Sequence, residues 1–413
     1  MNKKKLLLFI VILIAASLFI SCKKNETNPD PDIEKVRVAI EPSRLSLEQR
    51  LGKTVPSISV LIHTPSKTVF ASAASSTENT LTADTYFRFA SNTKTFTATA
   101  IVKMQQDGWL DIHNKITDLI PGSVIPYIST DTSWNIPYKN QISIEQLLQH
   151  TAGIYDIVND PVPGCNGNPY ERFIMDKDPT HQFSAAELVG QVARYQLSYF
   201  VPGTAFGYTN TGYSMLGEII ARVYSFHSGT AKGYSDYLYD YICGPNTANP
   251  LPITFPYLAS DINLPSPYVK GNLYLDSISG PQLFAGANMS GAVAEGNGVT
   301  TFRGLDTFVR SLMKGQNVLN AASVQLLQSD VSSSNPSYAL GCVYVPNLGY
   351  GHNGTSQCGY SSVMVYDPAT DVSVIVMMPL ADGSSAERAS YCQQAVYFAA
   401  FDVRAALGYP GRP

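Results

Sequence analysis

Strand-like patterns are concentrated at the two ends of this chain of 413 residues, and this distribution restricts its fold more than any other feature. Residues 57–62 alternate with period two and residues 68–71 follow a Pro-Ser turn, which together predict a β-hairpin. Strand-like patterns return in the last third, at 338–345, 350–354, 361–366 and 372–378. The economical fold therefore brings both ends of the chain into one antiparallel sheet. The expected class is α/β, of the α+β type.

Helical patterns flank these strands and fill the segment between them. Residues 36–52 predict a first helix that is interrupted or started at Pro42 and ends at Gly52. Residues 385–407 predict a last amphipathic helix that covers one face of the sheet. Further helices are expected from residue 91, over 109–120, and near 143–149, 184–196 and 211–224. Residues 123–270 are rich in Pro, Tyr, Asn and Asp and are interpreted as an inserted, mainly helical lobe. A ligand cleft is expected between this lobe and the rest of the molecule.

The N-terminus has the organisation of a secretory signal. Three lysines at 3–5 precede an apolar run over 6–20, which is short for a membrane span. Ser21 and Cys22 follow; a small residue before a cysteine resembles the bacterial lipobox, although Phe19 stands where leucine is more usual. We predict a lipoprotein signal peptide over 1–21, a polar tether over 22–35 and one large domain over 36–413. Lipidation of Cys22 would anchor the protein in the cell envelope, facing the periplasm or the cell surface. An uncleaved anchor and an ordinary signal peptide are the alternatives.

Composition excludes several kinds of partner. A net charge of -4, with no basic cluster beyond the N-terminus, argues against nucleic acid. Besides Cys22 the chain has five cysteines, none with the spacing of a zinc knuckle or a CxxC motif, so no metal or cofactor is expected. An odd number leaves at least one thiol free, and we expect Cys342 and Cys358 to form a disulfide. The expected partners are a small-molecule or short-peptide substrate and a membrane, with the oligomeric state left open.

Ser91 and Lys94 stand three residues apart where a polar segment gives way to a helical pattern. Positions i and i+3 share a helix face, so the lysine ammonium is expected beside the serine hydroxyl. The first turn of a helix also has unpaired N–H groups that favour negative charge. This arrangement suits a nucleophilic serine. A helix-cap serine followed by a solvated lysine is the alternative.

Three further motifs follow in order. Leu-Leu-Gln-His150-Thr-Ala-Gly ends a helix, Tyr208-Thr209-Asn210 comes after Pro-Gly-Thr, and His352-Asn353-Gly354 lies on a predicted strand. Together with Ser-x-x-Lys and its Phe-Arg-Phe-Ala lead-in, they resemble the serine β-lactamase-like and penicillin-binding protein superfamily. The branch is that of class C β-lactamases, D-alanyl-D-alanine carboxypeptidases and esterases, and the similarity spans residues 40–405. Taken singly, Tyr208 and Asn210 are also good turn residues, and His352 could equally be a surface histidine.

The resemblance implies a role for each matching residue. Ser91 is the nucleophile, Lys94 and Tyr208 transfer protons, and which of these two is the general base stays open. Asn210 is expected to hydrogen-bond Lys94 and the substrate amide.

The third motif usually begins with lysine, and here His352 takes that place. Its expected role is to orient the Tyr208 hydroxyl or to contact a substrate carboxylate. Gly354 is expected to keep the strand open for substrate, and the backbone N–H groups of Ser91 and Thr355 to form the oxyanion hole. His150 is expected to bond within its own loop.

The implied function is a membrane-tethered serine hydrolase that forms an acyl-enzyme at Ser91 and acts on D-amino-acid peptides or small esters. A largely neutral His352 weakens the case for an efficient β-lactamase, because it holds a carboxylate less firmly than lysine does. The alternatives are a true β-lactamase, a penicillin-binding sensor and a non-catalytic envelope lipoprotein.

Overall fold

The computed structural model describes residues 30–77, 80–276 and 280–413, and its centre is a six-stranded antiparallel sheet. The strands are β1 Ser57–His63, β2 Thr68–Ala74, β3 Phe87–Arg88, β4 Gly271–Tyr274, β5 Gln282–Phe284, β6 Val299–Thr300, β7 Val343–Val345, β8 Gly349–Ser356, β9 Tyr360–Asp367, β10 Val372–Met378 and β11 Ala381–Asp382. The sheet order is β2-β1-β10-β9-β8-β7. The N-terminal hairpin therefore pairs with the C-terminal strands, and this part of the predicted fold is confirmed.

Both faces of the sheet are buried, which explains the continuous apolar sequence of β10. Successive side chains of a strand point to opposite faces. Val374 and Val376 accordingly join one hydrophobic core, whereas Ile375 and Met377 join the other. Helices must therefore cover the sheet on both sides.

The helices are α1 Pro31–Leu51, α2 Thr93–Gln106, α3 Ile144–Leu148, α4 Tyr170–Met175, α5 Ala185–Tyr195, α6 Asn210–Ser228, α7 Tyr234–Tyr237, α8 Phe302–Met313, α9 Ala321–Ser329 and α10 Ala386–Ala406. Short 3₁₀ helices occupy Ala90–Asn92, Thr132–Trp134 and Ser290–Ala292, and a π-helical turn occupies Leu238–Cys243. Helices α1 and α10 pack together on one face of the sheet, and α8 packs on the other. The chain between β2 and β7 includes the lobe predicted over 123–270, which is mainly helical as expected. It also forms the small sheet β3-β6 and supplies β4 and β5, which pair with β11 from the end of the chain.

The first helix begins earlier than predicted. The Asp30 side chain accepts a hydrogen bond from the backbone N–H of Asp32 at 3.0 Å, and Pro31 occupies the first turn. Both are strong helix-start signals. Residues 31–35 therefore belong to α1, and assigning them to the tether was wrong. The helix ends as expected at Gly52, whose φ of 61° is left-handed.

The short helix predicted over 109–120 is wrong. This segment is a series of turns. The Asp111 carboxylate accepts from the backbone N–H of His113 at 2.9 Å, and Asp118 accepts from that of Lys115 at 2.7 Å. Such side-chain bonds to the backbone compete with the helical ladder.

The disulfide predicted between Cys342 and Cys358 is also wrong, because all five cysteines of the described residues are free. Cys342 immediately precedes β7, which pairs with the first residues of β8, and Cys358 follows the far end of β8. At ~3.3 Å per strand residue, this places the two more than about 15 Å apart, beyond the reach of a disulfide.

The signal peptide predicted over 1–21 and the lipidated Cys22 lie outside the described residues. Across residues 30–77, 80–276 and 280–413, no helix combines the length and the hydropathy that crossing a bilayer requires.

Candidate active site

Ser91 lies in a tight turn between β3 and α2. Ala90, just before it, has a left-handed φ of 52°, and the 3₁₀ turn Ala90–Asn92 then leads into the helix. The Asn92 amide fixes this turn, since it donates to the Phe89 carbonyl at 2.9 Å and to Ser362 Oγ at 2.8 Å. The turn leaves Ser91 half-buried on the wall of a cleft of about 1690 Å³.

Lys94 is fully buried, and its Nζ makes three hydrogen bonds. It donates to Ser91 Oγ at 3.2 Å, to Asn210 Oδ1 at 2.7 Å and to the backbone carbonyl of Glu295 at 2.9 Å. Carbonyl oxygens can only accept, so two of these contacts always need an N–H of the lysine. A neutral Lys94 amine therefore directs its lone pair at the Ser91 hydroxyl. The structure brings the predicted pair together in a geometry suited to proton transfer from serine to lysine.

Asn210 is held in one orientation at the start of α6. Its Nδ2 donates to Asp156 Oδ2 at 3.3 Å, and its backbone N–H reaches the same oxygen at 3.2 Å. The side-chain oxygen of Asn210 is thereby turned towards Lys94, as the resemblance implied. Burial raises the pKa of the Asp156 carboxyl, with the hydrogen bond from the Asn210 backbone opposing the rise.

Tyr208 lies on the cleft wall, half-buried, with Lys94 Nζ 4.9 Å from the centroid of its ring. Within the described part of the chain, its hydroxyl makes no hydrogen bond. The hydroxyl is thus free to meet a group of the substrate.

His352 belongs to a buried chain of hydrogen bonds. His150 Nδ1 accepts from the backbone N–H of Thr209 at 3.2 Å, and His150 Nε2 contacts the Tyr338 hydroxyl at 3.0 Å. The same hydroxyl contacts His352 Nε2 at 3.0 Å, and His352 Nδ1 contacts the Asn353 carbonyl at 2.5 Å. The Thr209 N–H makes His150 Nδ1 an acceptor, so Tyr338 accepts from His150 Nε2. His352 Nδ1 donates to the Asn353 carbonyl, so a neutral His352 accepts the Tyr338 hydroxyl proton at Nε2.

The bond from Thr209 requires a neutral His150, and burial keeps His352 neutral as well. Burial lowers the pKa of His352 to about 3, and it lowers the pKa of His150 well below the usual value, with the Lys94 charge adding to both effects. His150 therefore bonds well beyond its own loop, and the expectation that it bonds locally was wrong.

The structure also changes the account of His352. Both of its ring nitrogens are occupied, and its ring centroid lies 6.3 Å from that of Tyr208. Neither predicted role, orienting the Tyr208 hydroxyl or binding a carboxylate through charge, has a counterpart in these contacts. The side chain is 2% exposed and forms part of the cleft lining.

Gly354 allows strand β8 to approach the nucleophile. A Cβ at this position would lie 2.5 Å from the Phe89 carbonyl oxygen and 2.9 Å from the backbone nitrogen of Ser91. The glycine therefore makes room for the turn that carries Ser91, rather than for substrate alone as predicted. Thr355 is the next residue of β8 and lines the same cleft as Ser91.

The sequence also matches a known protein family. A sequence model of the beta-lactamase family matches residues 46–395. The chain belongs to the beta-lactamase family.

Solved structures and curated proteins agree with this membership of the beta-lactamase family. A D-stereospecific amidohydrolase from Streptomyces sp. superposes with a TM-score of 0.66 at 22% identity, over 88% of this chain and 98% of that one. The D-amino acid amidase of Ochrobactrum anthropi SV3 does so with a TM-score of 0.66 at 21% identity, over 90% and 98%. At this identity the likeness shows the fold.

Two curated relatives match over shorter stretches. Protein flp of Staphylococcus aureus (strain MW2) is 30% identical over 165 residues, which are 39% of this chain and 26% of that protein. Penicillin-binding protein 4* of Bacillus subtilis (strain 168) is 25% identical over 171 residues, 41% of this chain and 31% of that protein. The match thus covers about a quarter to a third of each relative.

Four residues of this beta-lactamase family site escaped the sequence analysis: Tyr338, Asp156, Glu171 and Glu295. Tyr338 stood at the edge of a predicted strand, and Asp156 follows the His150 motif closely, but nothing in the sequence distinguishes either from other tyrosines and aspartates. Glu295 is buried beneath the site, accepts from Ser214 Oγ at 3.1 Å and has a pKa raised well above its usual value by burial. Glu171 lines the cleft, and burial raises its pKa to about 7.

Proposed function

We propose that this member of the beta-lactamase family hydrolyses amides, peptides or small esters of D-amino acids through an acyl-enzyme at Ser91. The observation that carries this proposal is the set of three contacts at Lys94 Nζ. Two of them bind its N–H groups to carbonyl oxygens, and the third leaves the nitrogen lone pair for the Ser91 proton.

In the proposed acylation, Ser91 Oγ bonds to the substrate acyl carbon while its proton passes to Lys94 Nζ. The carbonyl electron pair moves onto oxygen, where the backbone N–H groups of Ser91 and Thr355 would hold the charge; one such donor typically contributes about 3 kcal/mol. When the tetrahedral intermediate collapses, the leaving group departs with the proton from Lys94. Water then attacks the ester carbon by the same route and regenerates Ser91.

Lys94 is the base in this proposal and Tyr208 the proton carrier. Among the described side chains, Lys94 alone contacts the Ser91 hydroxyl directly. The Tyr208 hydroxyl, free on the cleft wall near Lys94, is placed to pass the proton to the leaving group.

Two observations support the choice of substrate. The neutral, fully engaged His352 offers no positive charge for the carboxylate shared by penicillins and D-Ala-D-Ala peptides, which argues against an efficient β-lactamase. Two proteins of similar fold are named for amide hydrolysis with D-stereospecificity.

The test compares wild type with Ser91→Ala on D-alanine p-nitroanilide, p-nitrophenyl acetate and a fluorescent penicillin. Ser46→Ala is the matched control, because Ser46 is exposed on α1 and far from the cleft. We expect turnover of the anilide or the ester in wild type and in the control, and its loss in Ser91→Ala. A stable penicillin label without turnover of either substrate would support a sensor instead, and no reaction with any probe would reject both.

We further propose that the mature protein is a lipoprotein anchored through Cys22 in the cell envelope. The support is the lysine-rich start, the apolar run over 6–20 and the Ser21-Cys22 pair. Expression with radiolabelled palmitate should label the membrane fraction of wild type and leave Cys22→Ser unlabelled. An unlabelled wild type contradicts the anchor.

A further inference from the structure

Glu171 is an acidic side chain in the cleft without a partner. It lies in the first turn of α4, is 8% exposed and lines the same cleft as Ser91. Among the described residues, no hydrogen-bond donor and no basic side chain pairs with its carboxyl. A buried carboxylate of this kind costs free energy unless something compensates it.

The local backbone is shaped around this carboxyl. A Cβ at residue 291 would lie 2.5 Å from Glu171 Oε1, so glycine at this position lets the carboxyl keep its present place. Gly291 belongs to the 3₁₀ turn Ser290–Ala292, which packs beside the cleft.

The titratable groups around Glu171 are mainly acidic. Asp156, in the segment after α3, raises the pKa of Glu171 by repulsion. Glu295 follows the 290–292 turn, and repulsion from Glu171 helps to raise its pKa. Cys358 faces it from the β8–β9 turn, and Arg172 on its own helix is paired with Asp176 at 2.6 Å.

Two buried basic side chains among the described residues lie in the same cluster, and both are already engaged. Lys94 Nζ contacts three oxygens, and Arg88, near Cys358, donates to the backbone carbonyls of Ile262 and Ala287. Glu171 therefore has no cationic partner in the described part of the cleft, and a carboxylate in this position attracts a positive ligand group.

We propose that Glu171 binds a free ammonium group of the substrate, so that the preferred substrates are short D-amino-acid amides, esters or peptides with an unblocked amine. This inference rests on the proposed function for its choice of ligand. Asp156 connects the two sites, because it faces Glu171 and bonds Asn210, which in turn contacts Lys94. An amine held at Glu171 would thus lie in the same cleft as the acyl carbon at Ser91.

The test measures binding rather than turnover. In Ser91→Ala protein at pH 7.5, NMR titrations compare D-alanine amide with N-acetyl-D-alanine amide, which lacks the positive charge. A hydrogen bond to a charged partner contributes enough for us to expect about 10- to 100-fold tighter binding of the free amine. Adding Glu171→Gln, which keeps the shape and removes the charge, should reduce the preference to less than about threefold.

Glu218→Gln is the matched control, because Glu218 is a largely buried glutamate of α6 whose pKa burial also raises, and it lies outside the cleft. It should retain the preference. Equal binding of both ligands in Ser91→Ala, or a preference that survives Glu171→Gln, would overturn the proposal. An equal loss for both ligands in Glu171→Gln would also overturn it, since that result indicates a structural role. If the amine is preferred but wild type hydrolyses no probe, the hydrolase proposal fails and the amine site stands.

Discussion

Replacing Tyr338 by phenylalanine removes one oxygen from the middle of the buried hydrogen-bond chain. That oxygen accepts from His150 Nε2 and donates to His352 Nε2, both at 3.0 Å. The two histidines are 0% and 2% exposed, so water does not readily replace it. Each buried polar group that loses its only partner costs about 1–3 kcal/mol, and two such groups give an expected destabilisation of about 2–6 kcal/mol.

Tyr237 supplies the matched control. It is as buried as Tyr338, but its hydroxyl has no hydrogen-bond partner among the described residues. Tyr237→Phe should therefore leave the free energy of unfolding unchanged or raise it. Urea unfolding at pH 7 measures both variants, and an unchanged m value shows that the midpoints report stability. If Tyr338→Phe costs no more than Tyr237→Phe, the hydrogen-bond chain does not stabilise the fold and our account of His352 is refuted.

Three further predictions concern the site and its cysteines. Asn210→Asp puts a second carboxylate against Asp156 and disturbs Lys94, so kcat should fall by about 100-fold. An unchanged circular dichroism spectrum would show that the fold persists, and an unaltered kcat would remove Asn210 from the mechanism. Gly354→Ala should push β8 away from the Ser91 turn and slow acylation by at least about tenfold. Gly280→Ala, whose added Cβ would meet no atom of the described residues within 4 Å, should acylate normally, and equal rates in the two variants would contradict the close approach. Thiol titration of unfolded protein without reductant should count every cysteine of residues 30–413, and a count lower by two would indicate a disulfide.

The strands of the sheet could be predicted well because the patterns that indicate them lie within short stretches of sequence. The β1–β2 hairpin follows from alternation and a turn, and β10 follows from an apolar run that is buried on both faces. The segment 109–120 failed because its apolar spacing is helical, whereas the carboxylates of Asp111 and Asp118 bind nearby backbone N–H groups instead.

The site was predictable only in part, for a physical reason. Ser91, Lys94 and Asn210 stand in short motifs, and the structure brings them into contact. The third partner of Lys94 is the backbone carbonyl of Glu295, 201 positions away, and a carbonyl group leaves no trace in a sequence. Glu171 could not be singled out from the sequence either, because its lack of a partner depends on which residues the fold places around it.

The central claim is that Ser91 attacks the substrate after giving its proton to Lys94. The most direct measurement is rapid-quench intact-protein mass spectrometry with p-nitrophenyl acetate, followed by peptide mapping of the adduct. We predict a transient acetyl group on Ser91 in wild type, no adduct in Ser91→Ala, and acylation slowed by at least about 100-fold in Lys94→Ala. An adduct on any other residue, or normal acylation of Ser91 without Lys94, would contradict the claim.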